Sequence, residues 1–405
     1  MAQSSVHELL SCDDILCEIL IRVPPESIFR LITVSKRWLH FICFSSTFRQ
    51  SYLNIWRTRF RLLGFFVCNN LYLGRSLNGP RRPTKEPALP LLSTSTEGDD
   101  LQYSGILKQL GYLIDSSNGL LLCGRHPKTY YVWNPISKQR YQLPHPRVYF
   151  EELCMAFLVE NFLPDDVHFR VIRAKCENSH DEVNTVPIET FHSKTSTWNY
   201  STLTCSEAFS LSPWTSAAVI KSVVHWYAAQ GKIAIYDPKH GRKHLDLIEL
   251  PGSYDFDERV LGESSDGLLQ YGWSNQSRME IWVLEKGQGC HASSFAISTN
   301  ASNRWNLRYK LNFKTMWKNN PVVMTKFWSR SKETQLVSLL PQNSESVFIK
   351  SGSDIFLYHL ENGMLEVVLY HGRSSSIGWD FCKVIPYFRP AWPYSSRCPV
   401  NNIVA

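Results

Sequence analysis

The chain changes its hydrophobic rhythm twice. Up to about residue 56 apolar residues recur at helical spacing, and from Ser104 onward they regroup into strand-length runs broken by turn signals. Between them, residues 74–104 (GRSLNGPRRPTKEPALPLLSTSTEGDD within that span) hold Gly, Pro, Ser and Thr in quantity and read as a linker or long surface loop. In the first region Ile15, Leu16, Ile19, Leu20 and Val23 fall on one helical face behind Asp13 and Asp14, whose charges suit the positive end of a helix dipole. Pro24-Pro25 predicts the stop, because a residue before proline avoids helical dihedrals. A short second helix is expected over Glu26 to Ile32, carrying Ile28, Leu31 and Ile32. Ser35 is the expected N-cap of a third helix, where Trp38, Leu39 and Ile42 gather with Val34. Three helices of this length have too little apolar surface for a secure core, so the module needs a partner to cover its exposed face.

The β-rich region carries a degenerate repeat. SNGLLLC, ending at Cys123, is followed by YVWNP, ending at Pro135, and then by Leu143-Pro144. The same order returns as Ser222 to Tyr227, then Ile233 to Pro238, then Leu250-Pro251. Partial copies begin at Ser265 and Ser346, and Ile188 to Ser193 with Trp198 makes another strand–turn–aromatic unit. Each copy reads as a hairpin whose second strand ends at proline, which cannot donate to a ladder. Recurrence at roughly 40 to 50 residues points to a propeller of small sheets around a channel. The number of blades stays open, and an irregular β-sandwich is the alternative.

Composition narrows the class. A chain of 405 residues suggests two or three domains, and 43% hydrophobic with 20% charged residues belongs to a folded, soluble protein. Thirteen Trp favour large β-surfaces over helical bundles. The longest apolar runs, such as Phe60 to Cys68, are too short to cross a bilayer, and Glu8, Asp13, Asp14 and Glu18 interrupt any secretory leader. Eleven cysteines stand singly with no CxxC pair, as expected of reduced thiols in the cytoplasm or nucleus, with room for a few buried pairs to meet. The 13 histidines lack metal spacing, so neither metal nor cofactor is expected. The net charge is +7, yet between Ser27 and Lys85 eleven basic residues face no acidic one. That stretch from Arg30 to Lys85 could meet nucleic acid or an acidic protein, or be a solvated face with a flexible linker.

The N-terminal order of residues, DDILCEILIRVPPESIFRLITVSKRW continuing to Ile42, Phe48 and Tyr52, resembles the F-box family. Val23-Pro24, Ser27, Arg30 and the Val-Ser-Lys-x-Trp ending at Trp38 stand at that family's spacing. The resemblance implies docking of a Skp-type adaptor and, through it, the cullin and RING subunits of a ubiquitin ligase. Carried over by position, Leu10, Ile15, Leu16, Ile19, Leu20, Val23, Pro24, Ile28, Leu31, Val34, Trp38 and Ile42 make or support that face. The family's Leu-Pro before the paired acids is replaced here by Ser11-Cys12, which leaves Leu9 and Leu10 as substitutes. The later markers SNGLLLC, YVWNP, FHSKTSTW and IAIYDP resemble the kelch-like F-box-associated region of large plant families, thought to capture the protein to be ubiquitinated.

Catalysis finds no support in the motifs. GxSxG, HExxH, the Walker loop and a Rossmann glycine fingerprint are absent, and the pairs Asp99-Asp100 and Asp165-Asp166 lie in polar, turn-like stretches. Nothing in the spacing of Cys, Tyr and His selects a copper site of the kind some kelch-like oxidases use. The expectation is an α+β multidomain chain: an F-box helical module at 6–56, a connection at 57–104, a β-propeller-like domain at 105–390 and a tail at 391–405. Its expected role is non-catalytic target capture for the ligase, with an unknown protein target and neither membrane nor nucleic acid as partner. A ligase-independent scaffold and a propeller enzyme are the alternatives. Most tryptophans are expected in blade cores; Trp273, in YGWSN, is the candidate for a loop-end anchor that touches the target.

Overall fold

The structure, a computed structural model, describes residues 12–28, 30–56, 62–69, 92–93, 110–125, 128–135, 139–163, 166–177, 182–213, 217–252, 258–285, 305–327, 333–340, 343–352, 354–369 and 382–388. It opens with α1 (Asp13–Leu20), α2 (Pro25–Ile28), a 3-10 turn (Leu31–Thr33), α3 (Lys36–Phe44) and α4 (Ser46–Trp56). Asp13 and Asp14 stand in the first turn of α1, and Ser35 caps α3 by accepting from the backbone N–H of Trp38 at 3.2 Å. The expected single helix over 26–32 is broken in two. Its end is the β-branched run Ile32-Thr33-Val34, where Thr33 turns its hydroxyl back onto the Arg30 carbonyl at 2.8 Å instead of extending the helix.

After a short connection the described residues form twenty-three strands arranged in six blades. The first strand pair is β1 (Leu62–Asn69) and β2 (Leu92–Ser93). Blade one is β3 (Tyr112–Ser117), β4 (Leu120–Arg125), β5 (Thr129–Asn134) and β6 (Gln139–Gln142). Blade two is β7 (Leu153–Leu163), β8 (Asp166–Lys175), β9 (Val183–His192) and β10 (Thr197–Phe209). Blade three is β11 (Ala218–Ile220), β12 (Val223–Ala228), β13 (Lys232–Tyr236) and β14 (His244–Glu249). Blade four is β15 (Glu258–Glu263), β16 (Leu269–Ser274), β17 (Arg278–Leu284) and β18 (Trp305–Asn312). Two helices, α5 (Phe313–Asn319) and α6 (Pro321–Phe327), lead to blade five: β19 (Thr334–Leu340), β20 (Asn343–Ser351), β21 (Asp354–His359) and β22 (Leu365–Leu369). Blade six is made from both ends of the domain: β23 (Cys382–Phe388) pairs antiparallel with β1, from Leu62 opposite Phe388 to Asn69 opposite Cys382.

Burial explains why the ring closes. Six buried apolar clusters each join two neighbouring blades, and the sixth returns to the first. Phe65 and Phe66 show how one strand serves two of them. Consecutive strand residues point to opposite faces, so Phe65 joins the cluster with Leu340 and Phe348 of blade five while Phe66 joins Leu121 and Trp133 of blade one. The first strands of successive blades touch around the ring, β23 to β3 to β7 to β11 to β15 to β19 and back to β23. Two-residue turns serve where hairpins are tight: Asn118 and Gly119, at φ 49° and 80°, link β3 to β4 with the handedness such hairpins favour. Blades two and three are further tied by a parallel pairing of their outer strands, Thr204 with His244 and Cys205 with Leu245.

The structure fills in one point the sequence left open and corrects two expectations. The blade count, left open, is six among the described residues. Part of the stretch 57–104, expected to be a connection, supplies β1 and β2 to blade six. Trp273, expected at a loop end, is instead 7% exposed within β16 and buried with Tyr271 and Leu269 between blades three and four. The tail at 391–405, Leu10, Asp99-Asp100 and Asp165 lie outside the described residues.

Candidate functional site

Two pairs of neighbours on α1 divide the labour of the helical module. Leu16 and Leu20 are fully buried and, with Ile28, Ile42, Phe48 and Tyr52, form the module's interior. Ile15 and Ile19, next to them in sequence, are 37% and 45% exposed, and Val34 is 60% exposed. Adjacent helical residues differ by about 100° in direction, so one pair turns inward while the other stays outside. Pro24 is also exposed, whereas Val23, Leu31 and Trp38 are half-buried at the edge of the core. Of the twelve residues assigned by position, the structure therefore brings Leu16, Leu20, Ile28 and Ile42 inside. It leaves Ile15, Ile19, Pro24 and Val34 on the surface.

Helix α4 holds this arrangement from behind. Tyr52 donates its hydroxyl to the Val23 carbonyl and Trp56 its indole N–H to the Ile21 carbonyl, both at 2.7 Å. These carbonyls lie just beyond the end of α1, where no later helical N–H reaches them. Arg49 donates to the Cys43 carbonyl at 2.7 Å, and Arg37 pairs with Asp13 at 2.6 Å across the two helices. Three exposed apolar residues were absent from the positional assignment: Leu39, Ile55, and Phe44 with its ring 5.4 Å from that of His40. Phe44 is the last residue of α3, and its place before Ser45 was the available signal.

Among the described residues no group of three or more His, Cys, Asp or Glu side chains could hold a metal ion. Cys154 and Cys176 meet as free thiols with sulfurs 3.3 Å apart in the buried space between blades two and three, and burial pushes the Cys176 thiol up. His225 is held neutral: burial pushes it down to about 4, and its Nδ1 donates to the Ala218 carbonyl at 3.2 Å. Between blades one and two lies a fully buried ion pair, Arg173 Nη1 to Glu189 Oε2 at 2.7 Å. Arg173 also donates to the Val148 carbonyl at 3.1 Å, and Glu189 accepts from the Arg147 backbone N–H at 2.7 Å. The rings of Phe150, Tyr130 and Trp198 surround the guanidinium at 5.2, 5.6 and 5.8 Å. Such a pair stiffens a blade junction and reaches no solvent. The Trp273 ring is likewise covered, with the Arg278 guanidinium 5.3 Å from it.

Comparison with known proteins meets this geometry from outside. A family described as "F-box domain" matches residues 12–49, and a family described as "F-box protein At3g26010-like, beta-propeller" matches residues 101–353. The Arabidopsis thaliana "F-box protein At5g03970" is 54% identical over 391 residues, covering 96% of this chain and 90% of the relative. "Putative F-box protein At1g47390", from the same plant, is 26% identical over 69% of this chain and 72% of the relative. "F-box protein At5g07610", also from Arabidopsis thaliana, is 24% identical over 74% of this chain and 72% of the relative.

Proposed function

The chain belongs to the plant-type F-box proteins that carry a β-propeller, and from that premise we propose that it is the target-recognition subunit of an SCF-type ubiquitin ligase. F-box domains generally bind Skp1-type adaptors, and this domain pairing suggests a substrate receptor in a family that is generally not enzymatic. The observation that carries the finer reading is the exposed aliphatic set Ile15, Ile19 and Val34 on a module whose own core is already filled by Leu16, Leu20, Ile28 and Ile42. Apolar groups left in water on so small a unit are stabilised by a partner that covers them. In this reading the adaptor does so, and cullin and RING subunits follow through it. The propeller holds the target, in the cytoplasm or nucleus, and the chain contributes proximity while the chemistry of ubiquitin transfer lies in other subunits.

The test is co-elution of the full chain with a purified Skp-type adaptor, comparing Ile19→Asp with Leu20→Asp. The Ile19 variant should keep its helical circular dichroism and lose the adaptor. The Leu20 variant should lose both, because it places a charge in the module core. Retained adaptor binding by Ile19→Asp would sink the assignment of this face. Adaptor without cullin in a cell pulldown would turn the reading to a ligase-independent scaffold.

A further inference from the structure

Two cysteines in blade two take no part in the reading above and stand where they can react with each other. Cys154 is the second residue of β7, and Cys176 follows the last residue of β8. The register sets Cys154 opposite Ala174, and the Cys176 N–H extends the ladder by one bond, donating to the Glu152 carbonyl at 2.9 Å. Residues two apart along a strand share a face, so Cys176 lies on the face of Ala174, diagonally across from Cys154. Their sulfurs meet at 3.3 Å, with 22 positions of sequence between the two residues. Both are free thiols, 1% and 4% exposed, in the apolar cluster that joins blades two and three through Leu158, Ile172 and Trp226.

The place of the pair in the hairpin decides how it can react. β7 and β8 pair from Leu163 with Asp166 back to Leu153 with Lys175, so the cysteines stand at the open end. Local opening starts at such ends. Burial pushes the Cys176 thiol up, so in the closed hairpin it keeps its proton and stays unreactive. Fraying exposes it to a small oxidant, and reclosure brings it back against Cys154. From 3.3 Å the sulfurs need to approach by only about 1.2 Å to reach a bond length of about 2.05 Å. The product carries no charge for the apolar cluster to penalise.

We propose that Cys154 and Cys176 form an oxidation site, where a peroxide joins the two sulfurs and so fastens the open end of the β7–β8 hairpin. The Cys176 thiol gives up its proton, and its sulfur attacks one oxygen of hydrogen peroxide. The O–O bond breaks, the departing hydroxide takes up that proton as water, and the sulfur, oxidised by two electrons, becomes a sulfenic acid. The Cys154 sulfur then displaces the hydroxyl: the S–O bond breaks, the S–S bond forms, and the hydroxyl leaves with the Cys154 proton as a second water. Two thiols and one peroxide thus give one disulfide and two waters. The link removes much of the hairpin's freedom to open, and a dithiol reductant restores it by exchange. This chemistry is independent of the receptor reading, because peptide masses decide it and adaptor binding does not.

The experiment treats the folded full chain with hydrogen peroxide, removes the peroxide with catalase, and blocks remaining thiols with N-ethylmaleimide in denaturant before trypsin. Cleavage after Arg147, Arg170, Lys175 and Lys194 puts the cysteines in separate peptides, 148–170 and 176–194, with one cysteine in each. The expected product is those two peptides joined, lighter than their sum by two hydrogen atoms and separated again by dithiothreitol. The oxidised chain should melt about 5 °C above the reduced one, with slower amide exchange at 153–175. Cys154→Ala and Cys176→Ala should each remove both the joined peptide and the rise in melting temperature, and the second variant serves if the first fails to fold. Exposed Cys12 gauges the dose. If Cys12 is oxidised while Cys154 and Cys176 both remain open to alkylation, the proposal is overturned. Joining of either one to a different cysteine, or sulfinic or sulfonic acid at Cys176 without the joined peptide, overturns it too. So does a melting temperature that fails to rise on full cross-linking, or a rise that persists in the alanine variants.

Discussion

Replacing Glu189 by Gln tests whether the junction of blades one and two rests on a charge pair. The substitution keeps shape and one acceptor oxygen but leaves the Arg173 guanidinium without its counter-charge. Both side chains are fully buried, so water cannot take over the role of the lost carboxylate. Breaking a buried pair on one side is worth roughly 3 to 5 kcal/mol, far more than the same change at the surface, where pairs contribute about 0 to 1 kcal/mol. The three aromatic rings around Arg173 are present in parent and variant alike, so their contacts do not enter the difference. Losing about 4 kcal/mol lowers the melting temperature by about 10 °C in a domain of this size. Urea unfolding followed by tryptophan fluorescence is a suitable assay, because Trp198, 5.8 Å from the guanidinium, is among the thirteen tryptophans that give the signal. The double variant R173M/E189L removes both charges and leaves two backbone groups, the Arg147 N–H and the Val148 carbonyl, without their present partners. Those orphans are worth about 1 to 3 kcal/mol each, so the double variant should fall short of the sum of the two single losses. A Glu189→Gln variant within about 1 kcal/mol of the parent would refute the reasoning, since it would mean the pair is solvated.

Three further outcomes follow from the same structure. Tyr387→Ala removes a buried ring that lies 5.7 Å from Phe66 and donates its hydroxyl to the Gly119 carbonyl at 3.3 Å; a loss of about 3 to 5 kcal/mol is expected, with amide exchange in 62–69 and 382–388 accelerating before that of blade three. Ser35→Ala removes the cap of α3 and should lower the stability of the helical module by about 1 kcal/mol, read as a shift in its chemical unfolding. His225, held near 4 in the fold against 6.5 when unfolded, binds its proton more readily in the unfolded chain. Its contribution, about 3 kcal/mol at most, is therefore present above pH 6.5, is lost as pH falls from 6.5 towards 4, and changes no further below that; His225→Gln should flatten that part of the stability–pH curve.

The repeat was legible only where strands are covered on both sides. The markers around SNGLLLC, Val223 to Tyr227 and Ile281 fall on the middle strands of their blades, and β12 and β16 are buried along their whole length. That burial writes itself as nearly continuous apolar runs. First and last strands carry weaker patterns: β11 has three residues, and the outer strand β18 alternates half-buried and exposed positions with a bulge at Arg308. Blade six left no local trace, because Phe66 and Tyr387 meet from opposite ends of the domain. Trp273 misled for a different reason. The glycine before it reads as a turn, but a Cβ at Gly272 would meet Leu336 Cδ2 at 2.6 Å, so the glycine serves close approach of two blades inside a strand. On the helices, periodicity identified one apolar face without dividing its inward half, Leu16 and Leu20, from its outward half, Ile15 and Ile19. That division depends on α4, whose Tyr52 and Trp56 tie down the far side.

The use of β1 in blade six also sets how the two parts of the chain can cooperate. Had 57–104 been connection throughout, the helices could have ranged widely from the propeller. Instead β1 begins at Leu62, and Trp56 ends α4, so the covalent link between helix and sheet is 57–61. Even fully extended, such a link spans only about 20 Å. The ring closure that stabilises the propeller thus also limits the distance between the helical module and the propeller. A receptor acts by raising the effective concentration of its cargo near the transfer machinery, and that concentration falls steeply as a flexible tether lengthens. In the receptor reading, β1 therefore does two things at once: it seals the sixth blade with Phe65 and Phe66, and it keeps the captured protein close to the ligase.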